Sequence, residues 1–268
     1  MAQKLFSCKT VNCKTDLYSS LVIPKEKSVT LHLAGYTLDT SGVYGVYPFE
    51  IYDGASFSIY GVVGQVVCGL VGFIHIPSAT SCTLYMYGGH YTTMTGGTFI
   101  HVDDAVATEV HITLDSVVYV ESSMSGCVVD AAGYKGMLKL NVYGGSYTAH
   151  TGFTLAGSGY VYFEGASIST YGFAVESYMG AEVKLFSCSI SSGAESVNGT
   201  PQAVVIVGNG GTVNVEKCDV STPYNAAYYV TSSGGTIMVS ECATYAAVLG
   251  VNEGGANGAI YIDGVQVY

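Results

Sequence analysis

The chain has 268 residues, of which 49% are hydrophobic and only 11% are charged, and its formal net charge is −11 at pH 7. Nine lysines and no arginine supply the positive charge, so the chain has no guanidinium group for bidentate phosphate contacts and a nucleic-acid partner is not expected. Thirty-five glycines, 23 tyrosines and the lack of a sustained helical period predict an all-β protein.

Residues 1–27 precede the first regular pattern. They contain lysines but no apolar stretch of signal-peptide length, which predicts synthesis in the cytoplasm without secretion by that route. The most apolar run, residues 62–76, is too short and too broken by glycine to cross a bilayer, so no membrane insertion is expected. We interpret residues 1–27, including Cys8 and Cys13, as an N-terminal cap or anchor segment.

An eight-residue pattern then recurs along the chain. Its copies begin at residues 31, 57, 84, 112, 140, 161, 183, 213, 237 and 260, so the spacing varies between 21 and 30 residues. Apolar residues at the first and third positions predict a strand with one buried face, and frequent glycine at the fifth position predicts a sharp corner. This unequal spacing favours a solenoid over a propeller.

Short apolar runs between the octets supply further strands, as in "PFEIYDG" (48–54), "TFIHVDD" (98–104) and "AVVIVGNG" (203–210). Three strands per turn, each paired with its counterpart one turn away at about 4.8 Å, predict a parallel β-helix. We expect a single solenoid domain of about ten coils over residues 28–268. An antiparallel sandwich would need hairpin signals between neighbouring strands, and it would not repeat the same octet at an equivalent position in every turn.

The stretch "VIPKEKSVTLHLAGYTLDTSG" (22–42) resembles the first coil of right-handed parallel β-helix proteins of the pectate-lyase-like superfamily. The resemblance implies a right-handed solenoid. Some members of that superfamily cleave polysaccharides, whereas phage head fibres, tailspike-type and capsid decoration proteins and bacterial adhesins include members without catalysis. The resemblance specifies the fold better than the activity, so the function must be argued from the sites.

The best catalytic cluster in the sequence is "HVDDAVATEVH" (101–111), which contains His101, Asp103 and Asp104 beside Glu109 and His111. Galacturonan hydrolases of the superfamily use paired aspartates with basic partners, but their basic element is missing here. Lyases of the superfamily use an arginine base, and this chain has no arginine. We therefore expect no enzymatic activity, and the alternative is a glycoside hydrolase or lyase that uses Asp103, Asp104 and His101.

Metal ligands and cofactor motifs give weaker signals. Asp103, Asp104, Asp115 and Asp130 supply oxygen ligands, but no loop motif gathers them, which favours ordinary solvated turns. Phosphate-binding and dinucleotide fingerprints are missing from the sequence. The sequence therefore predicts neither a metal nor a cofactor.

Cys188, Cys218 and Cys242 all occupy the sixth position of the octet in three successive coils. Ala166 holds this position one coil earlier and Val265 one coil later, so the column accepts small apolar side chains. We interpret the three cysteines as an interior ladder, with a disulfide or a metal site as the alternatives.

Outward positions of the octets are rich in aromatic residues, and these predict a binding or interface stripe made of Tyr60, Tyr85, Tyr87, Tyr143, Tyr162, Phe186 and Tyr261. Exposed aromatic rows usually mark a partner surface. Two partners fit this row: further copies of the chain in a lengthwise trimer, or a glycan that stacks on the tyrosine rings.

These observations favour a non-enzymatic structural or adhesive protein. The resemblance to phage head fibres and capsid decoration proteins implies a virion location, with the N-terminal region attached to a capsid or another virion protein. The solenoid would then present a rigid surface for attachment. The alternatives are the polysaccharide-degrading enzyme and a bacterial surface adhesin.

Overall fold

The structure, a computed structural model, describes residues 17–78, 80–93, 96–104, 108–121, 125–193 and 203–268. These residues form an all-β solenoid of about nine turns in a single domain. The sequence predicted this fold class, and the number of turns is close to the ten coils expected.

Each turn is built from short strands. The first fourteen are β1 (Leu21–Ile23), β2 (Ser28–His32), β3 (Thr37–Asp39), β4 (Phe49–Ile51), β5 (Ser56–Tyr60), β6 (Gln65–Val67), β7 (Gly72–Ile76), β8 (Cys82–Tyr87), β9 (His90–Thr93), β10 (Thr98–Val102), β11 (Glu109–Asp115), β12 (Val118–Glu121), β13 (Cys127–Ala131) and β14 (Met137–Tyr143).

The strands of the C-terminal half follow the same order. They are β15 (Ser146–Ala149), β16 (Thr151–Leu155), β17 (Tyr160–Glu164), β18 (Ser167–Thr170), β19 (Val175–Ser177), β20 (Glu182–Phe186), β21 (Ser189–Ser192), β22 (Ala203–Val207), β23 (Gly211–Glu216), β24 (Asp219–Val230), β25 (Gly235–Ser240), β26 (Ala243–Asn252), β27 (Gly258–Ile262) and β28 (Val265–Gln266). A single 3-10 turn, Gly255–Asn257, is the one helical segment in the described ranges.

The strands stack into three faces. The first face is the ladder β2, β5, β8, β11, β14, β17, β20, β23, β25 and β27, in which neighbouring strands are parallel. The second face starts with β3 and β6, and the third with β1, β4 and β7. These two faces form one 17-stranded sheet, because β24 and β26 each pair along both of them.

The octets form the first face and the corner that follows it. Backbone pairing aligns the octets that begin at residues 57 to 260, as Leu84 with Ile112 and Val183 with Val213 show. For the first octet the predicted start is wrong by two residues, because Val29, not Leu31, pairs with Phe57. A shift of two keeps every side chain on the same face of a strand, so the apolar pattern could not detect it.

The core is the column of side chains that successive turns place inside the solenoid. On the first face it includes Leu84, Ile112 and Leu140, which are fully buried. On the second face Tyr91, Tyr119 and Tyr147 pair in register and are also fully buried. Because each turn contacts mainly its two neighbours, the stability of the fold is spread along the whole length of the stack.

The two ends of the described solenoid differ. At the N-terminal end, β1 lies within residues 1–27 and already pairs in parallel with β4, whereas Cys8 and Cys13 lie outside the described residues. At the C-terminal end, β28 folds back antiparallel to β27, and the backbone N–H of Val267 donates to the carbonyl of Ile260. The tail of the chain therefore covers part of the last edge, which a solenoid must protect.

Candidate functional site

The third face carries a column of polar side chains that point away from the core. Backbone register aligns neighbouring members of this column from β4 to β19, and the column is, in order, Glu50, His75, His101, Asp130, Thr154 and Glu176. Neighbouring side chains in such a column lie about 4.8 Å apart at their backbones. The solenoid therefore brings residues far apart in the sequence into direct contact.

Two histidines form the centre of the site. The imidazoles of His75 and His101 stack with their ring centres 5.8 Å apart. The ring of Tyr47, from the loop before β4, stacks on both, at 5.1 Å from His75 and 6.0 Å from His101. This contact restricts the rotation of both imidazoles and shields one side of them from water.

Two carboxylates hold the histidines from different sides. Asp103, just after β10, places Oδ1 at 3.0 Å from Nε2 of His75 and at 3.2 Å from Nε2 of His101. Asp130 on β13 contacts the other nitrogen of the His101 ring, with its Oδ2 at 3.3 Å from Nδ1 of His101. The second oxygen of Asp103 accepts hydrogen bonds from the backbone N–H and the hydroxyl of Ser78. We name His75, His101, Asp103 and Asp130 the histidine cluster.

The electrostatics of the cluster follow from these contacts. The hydrogen bond to Asp130 raises the pKa of His101, although burial opposes the shift. The same bond holds the pKa of Asp130 below its ordinary value. Burial by itself would raise the pKa of Asp103, but the hydrogen bond and charge of His75 outweigh it and lower that pKa. Burial, helped by the charge of Asp130, raises the pKa of Tyr47 to about 12, so this ring stays a neutral phenol.

The structure separates the residues of the catalytic cluster predicted from the sequence. Asp103 and His101 meet, but Asp104 is exposed and its carboxylate lies against Gly133. Glu109 and His111 lie on β11 of the first face, where the carboxylate of Glu109 contacts Nε2 of His111 and Nζ of Lys139, each at 2.6 Å. The carboxylate pair around His101 is therefore Asp103 with Asp130, not Asp103 with Asp104 as the sequence suggested.

His75 is the member of the histidine cluster that sequence reasoning missed. A signal was present, since "FIHI" (73–76) and "FIHV" (99–102) are the same four-residue unit one coil apart. Alignment of these two units, like that of the octets, places His75 beside His101. Tyr47 has no such signal, because it lies in a loop outside the repeat.

The aromatic residues predicted as a stripe all lie on the outward side of the first face or at its end. They do not form one continuous row, because Thr113 and Asp115 separate Tyr85 and Tyr87 from Tyr143. Two groups result. The larger is His32, Tyr60, Tyr85 and Tyr87, with ring centres 5.1 to 6.3 Å apart, and we name it the tyrosine patch.

The second aromatic group contains Tyr143, Tyr160 and Tyr162. Phe186 lies further along the same face, and the ammonium groups of Lys184 and Lys217 are each 5.5 Å from its ring centre. Tyr261 lines a shallow groove of about 440 Å³ beside Met238 at the C-terminal end of that face.

The cysteines stack in one column as neighbours. The backbone N–H of Cys188 points at Sγ of Cys218 at 3.3 Å, and the N–H of Cys218 points at Sγ of Cys242 at 3.3 Å. All three are free thiols, and Cys188 and Cys218 are buried. Ala166 is buried at the equivalent position, but Val265 is 64% exposed, because the chain has already turned back into β28.

Comparison of the chain with protein-family models, with curated proteins and with solved structures finds no significant match. The solenoid fold therefore rests on the structure, and the resemblance to the pectate-lyase-like superfamily rests on the sequence pattern. Within the part of the chain that the structure describes, no helix has the length and apolar character needed to cross a membrane.

Proposed function

We propose that this protein is a non-enzymatic structural component that works through the outward faces of its solenoid. The observation that supports this proposal most is the tyrosine patch on the first face. Tyr60 and Tyr87 are each 37% exposed although they pack against one another, so the patch presents contiguous aromatic surface. Clustered exposed aromatic residues are typical of partner surfaces.

The partner that fits best is another copy of the chain. The first face is a ladder of ten parallel strands, and lengthwise packing of three copies around a threefold axis would bury the patch near the N-terminal end of that ladder. The tyrosine patch itself contains three tyrosines and His32 and no carboxylate or ammonium group, which keeps the desolvation cost of burying it low. A homotrimer of this kind suits a rigid virion component of the phage head-fibre or capsid decoration type, attached through its N-terminal region.

This assembly predicts a definite mass in solution. Light scattering after gel filtration at micromolar concentration should give three times the chain mass of 27.9 kDa. Replacing Tyr60, Tyr85 and Tyr87 together by serine should produce monomers, because the interface loses its largest group of exposed aromatic side chains. The matched control is Tyr245→Ser, since Tyr245 is 70% exposed on β26, outside the first face. A monomeric wild-type chain, or a trimer that survives the triple substitution, would contradict the proposal.

A polysaccharide-degrading enzyme is the second candidate, because Asp103 and Asp130 contact opposite nitrogens of His101. A carboxylate and an imidazole that share protons in this way can act as acid and base. The test is release of reducing ends from acidic and neutral glycans by the wild-type chain and by Asp103→Asn. Activity that the substitution abolishes would favour the enzyme over the structural component.

A further inference from the structure

The histidine cluster has the composition and the shape of a metal-binding site. His75, His101 and Asp103 each offer one ligand atom, and these three atoms all lie within 4.8 Å of one another. They come from two adjacent strands, β7 and β10, and from the residue that follows β10. Because these strands pair directly, as His75 with His101, the backbone fixes the spacing of the two imidazoles.

The distances suit a small divalent cation. A tetrahedral zinc ion with ligands at about 2.0–2.1 Å places its ligand atoms about 3.3 Å apart. The observed separations are 3.0 Å from Asp103 Oδ1 to His75 Nε2 and 3.2 Å to His101 Nε2. Both separations are close to that value, and the ligand nitrogens of the two imidazoles lie within 4.8 Å of each other. Two histidines with one carboxylate are a ligand set that zinc prefers.

The surrounding groups orient the ligands. Asp130 accepts from Nδ1 of His101 at 3.3 Å. A neutral His101 that binds an ion would therefore keep its proton on Nδ1 and offer the lone pair of Nε2, on the side of Asp103. A carboxylate behind a ligating histidine is the usual outer partner at zinc sites. Ser78 holds the second oxygen of Asp103, and Tyr47 stacks on both imidazoles. Each ligand is therefore positioned before any ion arrives.

Access to the cluster is also suitable. The side chains of His75, His101 and Asp103 are 21%, 31% and 31% exposed, so solvent and a dissolved ion have access to the cluster. With three protein ligands, a tetrahedral ion keeps its fourth position for water or for a donor from a partner.

We propose that His75, His101 and Asp103 bind one divalent transition-metal ion, with zinc as the best fit, and that Asp130 orients His101 for this purpose. This inference goes beyond the proposed function. The cluster lies on the third face and the tyrosine patch on the first, so either can fail without the other.

The test is a zinc titration of the full chain after chelation, followed by calorimetry, and a parallel cobalt titration followed by absorption. We expect one zinc ion per chain and a cobalt spectrum of tetrahedral type without thiolate charge transfer, which separates this site from the cysteines. His75→Ala, His101→Ala and Asp103→Asn should each weaken zinc binding by at least about 100-fold, and Asp130→Asn by about 10–100-fold.

His111→Ala is the matched control, because His111 is an imidazole that contacts a carboxylate on the first face, and zinc binding should not change. Urea unfolding of each variant without metal checks that the solenoid remains folded, and Asp103→Asn keeps the shape of the side chain it replaces. Absence of zinc binding by the wild-type chain would overturn the proposal. Unchanged affinity in the two histidine variants, or a cobalt spectrum with thiolate bands, would do so as well.

Discussion

At the scale of single residues, the buried tyrosines fall into two groups, those whose hydroxyl has a hydrogen-bond partner and those whose hydroxyl has none among the described residues. Tyr91, Tyr119 and Tyr147 are fully buried, and their hydroxyls have no hydrogen-bond partner among the described residues. Tyr134 is equally buried, but its hydroxyl donates to the carbonyl of Thr108 at 2.8 Å. A buried hydroxyl without a partner loses its hydration and gains nothing in return.

This contrast predicts opposite effects of the same substitution. Tyr119→Phe should raise the free energy of unfolding by about 1 kcal/mol, because it removes an unpaired buried hydroxyl. Tyr134→Phe should lower it by about 1 kcal/mol, because it leaves the carbonyl of Thr108 without that donor. Urea denaturation of both variants measures the difference, and two shifts of the same sign would contradict the assignment of the hydroxyls.

Glu176, in the outward column of the third face, gives a prediction about pH. Burial raises its pKa above the ordinary value of 4.5, although a hydrogen bond from the hydroxyl of Tyr178 opposes the shift. A carboxyl group with a raised pKa in the folded state stabilises the fold at low pH, and this contribution is lost as the pH rises through that pKa. Glu176→Gln should therefore be more stable than the wild type at pH 7, with a difference that shrinks towards pH 4.

The control for Glu176 is a carboxylate with the opposite shift. Lys184 holds the pKa of Glu216 below its ordinary value, so Glu216→Gln should be the less stable protein at pH 7 and should approach the wild type as the pH falls. Thermal unfolding over this range distinguishes the two. Parallel pH profiles for both substitutions would show that the environment of Glu176 has been described incorrectly.

At the scale of elements, the corner after the first face determines the shape of each turn. The fifth octet position has a positive φ in eight consecutive coils, whether the residue is glycine or not. These residues are Gly88, Ser116, Gly144, Gly165, Ser187, Lys217, Glu241 and Gly264. Positive φ is costly for residues with a Cβ, so the stacking of the coils must impose this conformation where glycine is absent.

Exchange of residues at this corner should change stability in both directions. Ser187→Gly should stabilise the chain by about 0.5–1 kcal/mol, because glycine adopts the φ of 52° without steric cost. Gly165→Ala should destabilise it by about 1–2 kcal/mol from φ alone, since a Cβ there meets no atom within 4 Å. Gly193→Ala, where φ is not positive and the nearest atom is 4.0 Å away, is the neutral control in thermal denaturation.

The elements also show how far the sequence predicts the molecule. Alternation at residues such as Leu84 and Ile112 identified the first face and its buried column, because a period of two is a local property. The contact between His75 and Asp103 was not predictable from that pattern. Predicting this contact requires the register between β7 and β10. It also requires knowing that Asp103, which follows β10, turns its side chain back toward the strand. Both depend on the lengths of the turns between the strands.

The cysteines and the first octet illustrate the same limit. Cys188, Cys218 and Cys242 occupy the same octet position, which predicts that they stack in one column. In the structure they are neighbours in such a column. The same reasoning is wrong for Val265. The chain reverses into β28 at this point, and the octet pattern contains no signal for that reversal. Repetition predicts the middle of a solenoid better than its ends.

At the scale of the whole molecule, about nine turns at about 4.8 Å make a stiff body roughly 40 Å long with three distinct faces. The first carries the tyrosine patch and the third carries the histidine cluster. A rigid stack keeps these surfaces in fixed relative positions, so one face can serve assembly while another remains accessible. Assembly through the first face is the central claim of the proposed function.

Cryo-electron microscopy of the purified full-length chain tests that claim most directly. We expect particles of three solenoids packed lengthwise, with the first faces turned inward and Tyr60, Tyr85 and Tyr87 buried at their contacts. The third faces, with His75 and His101, should lie on the outside. Single solenoids, or assemblies joined through the third face, would contradict the account.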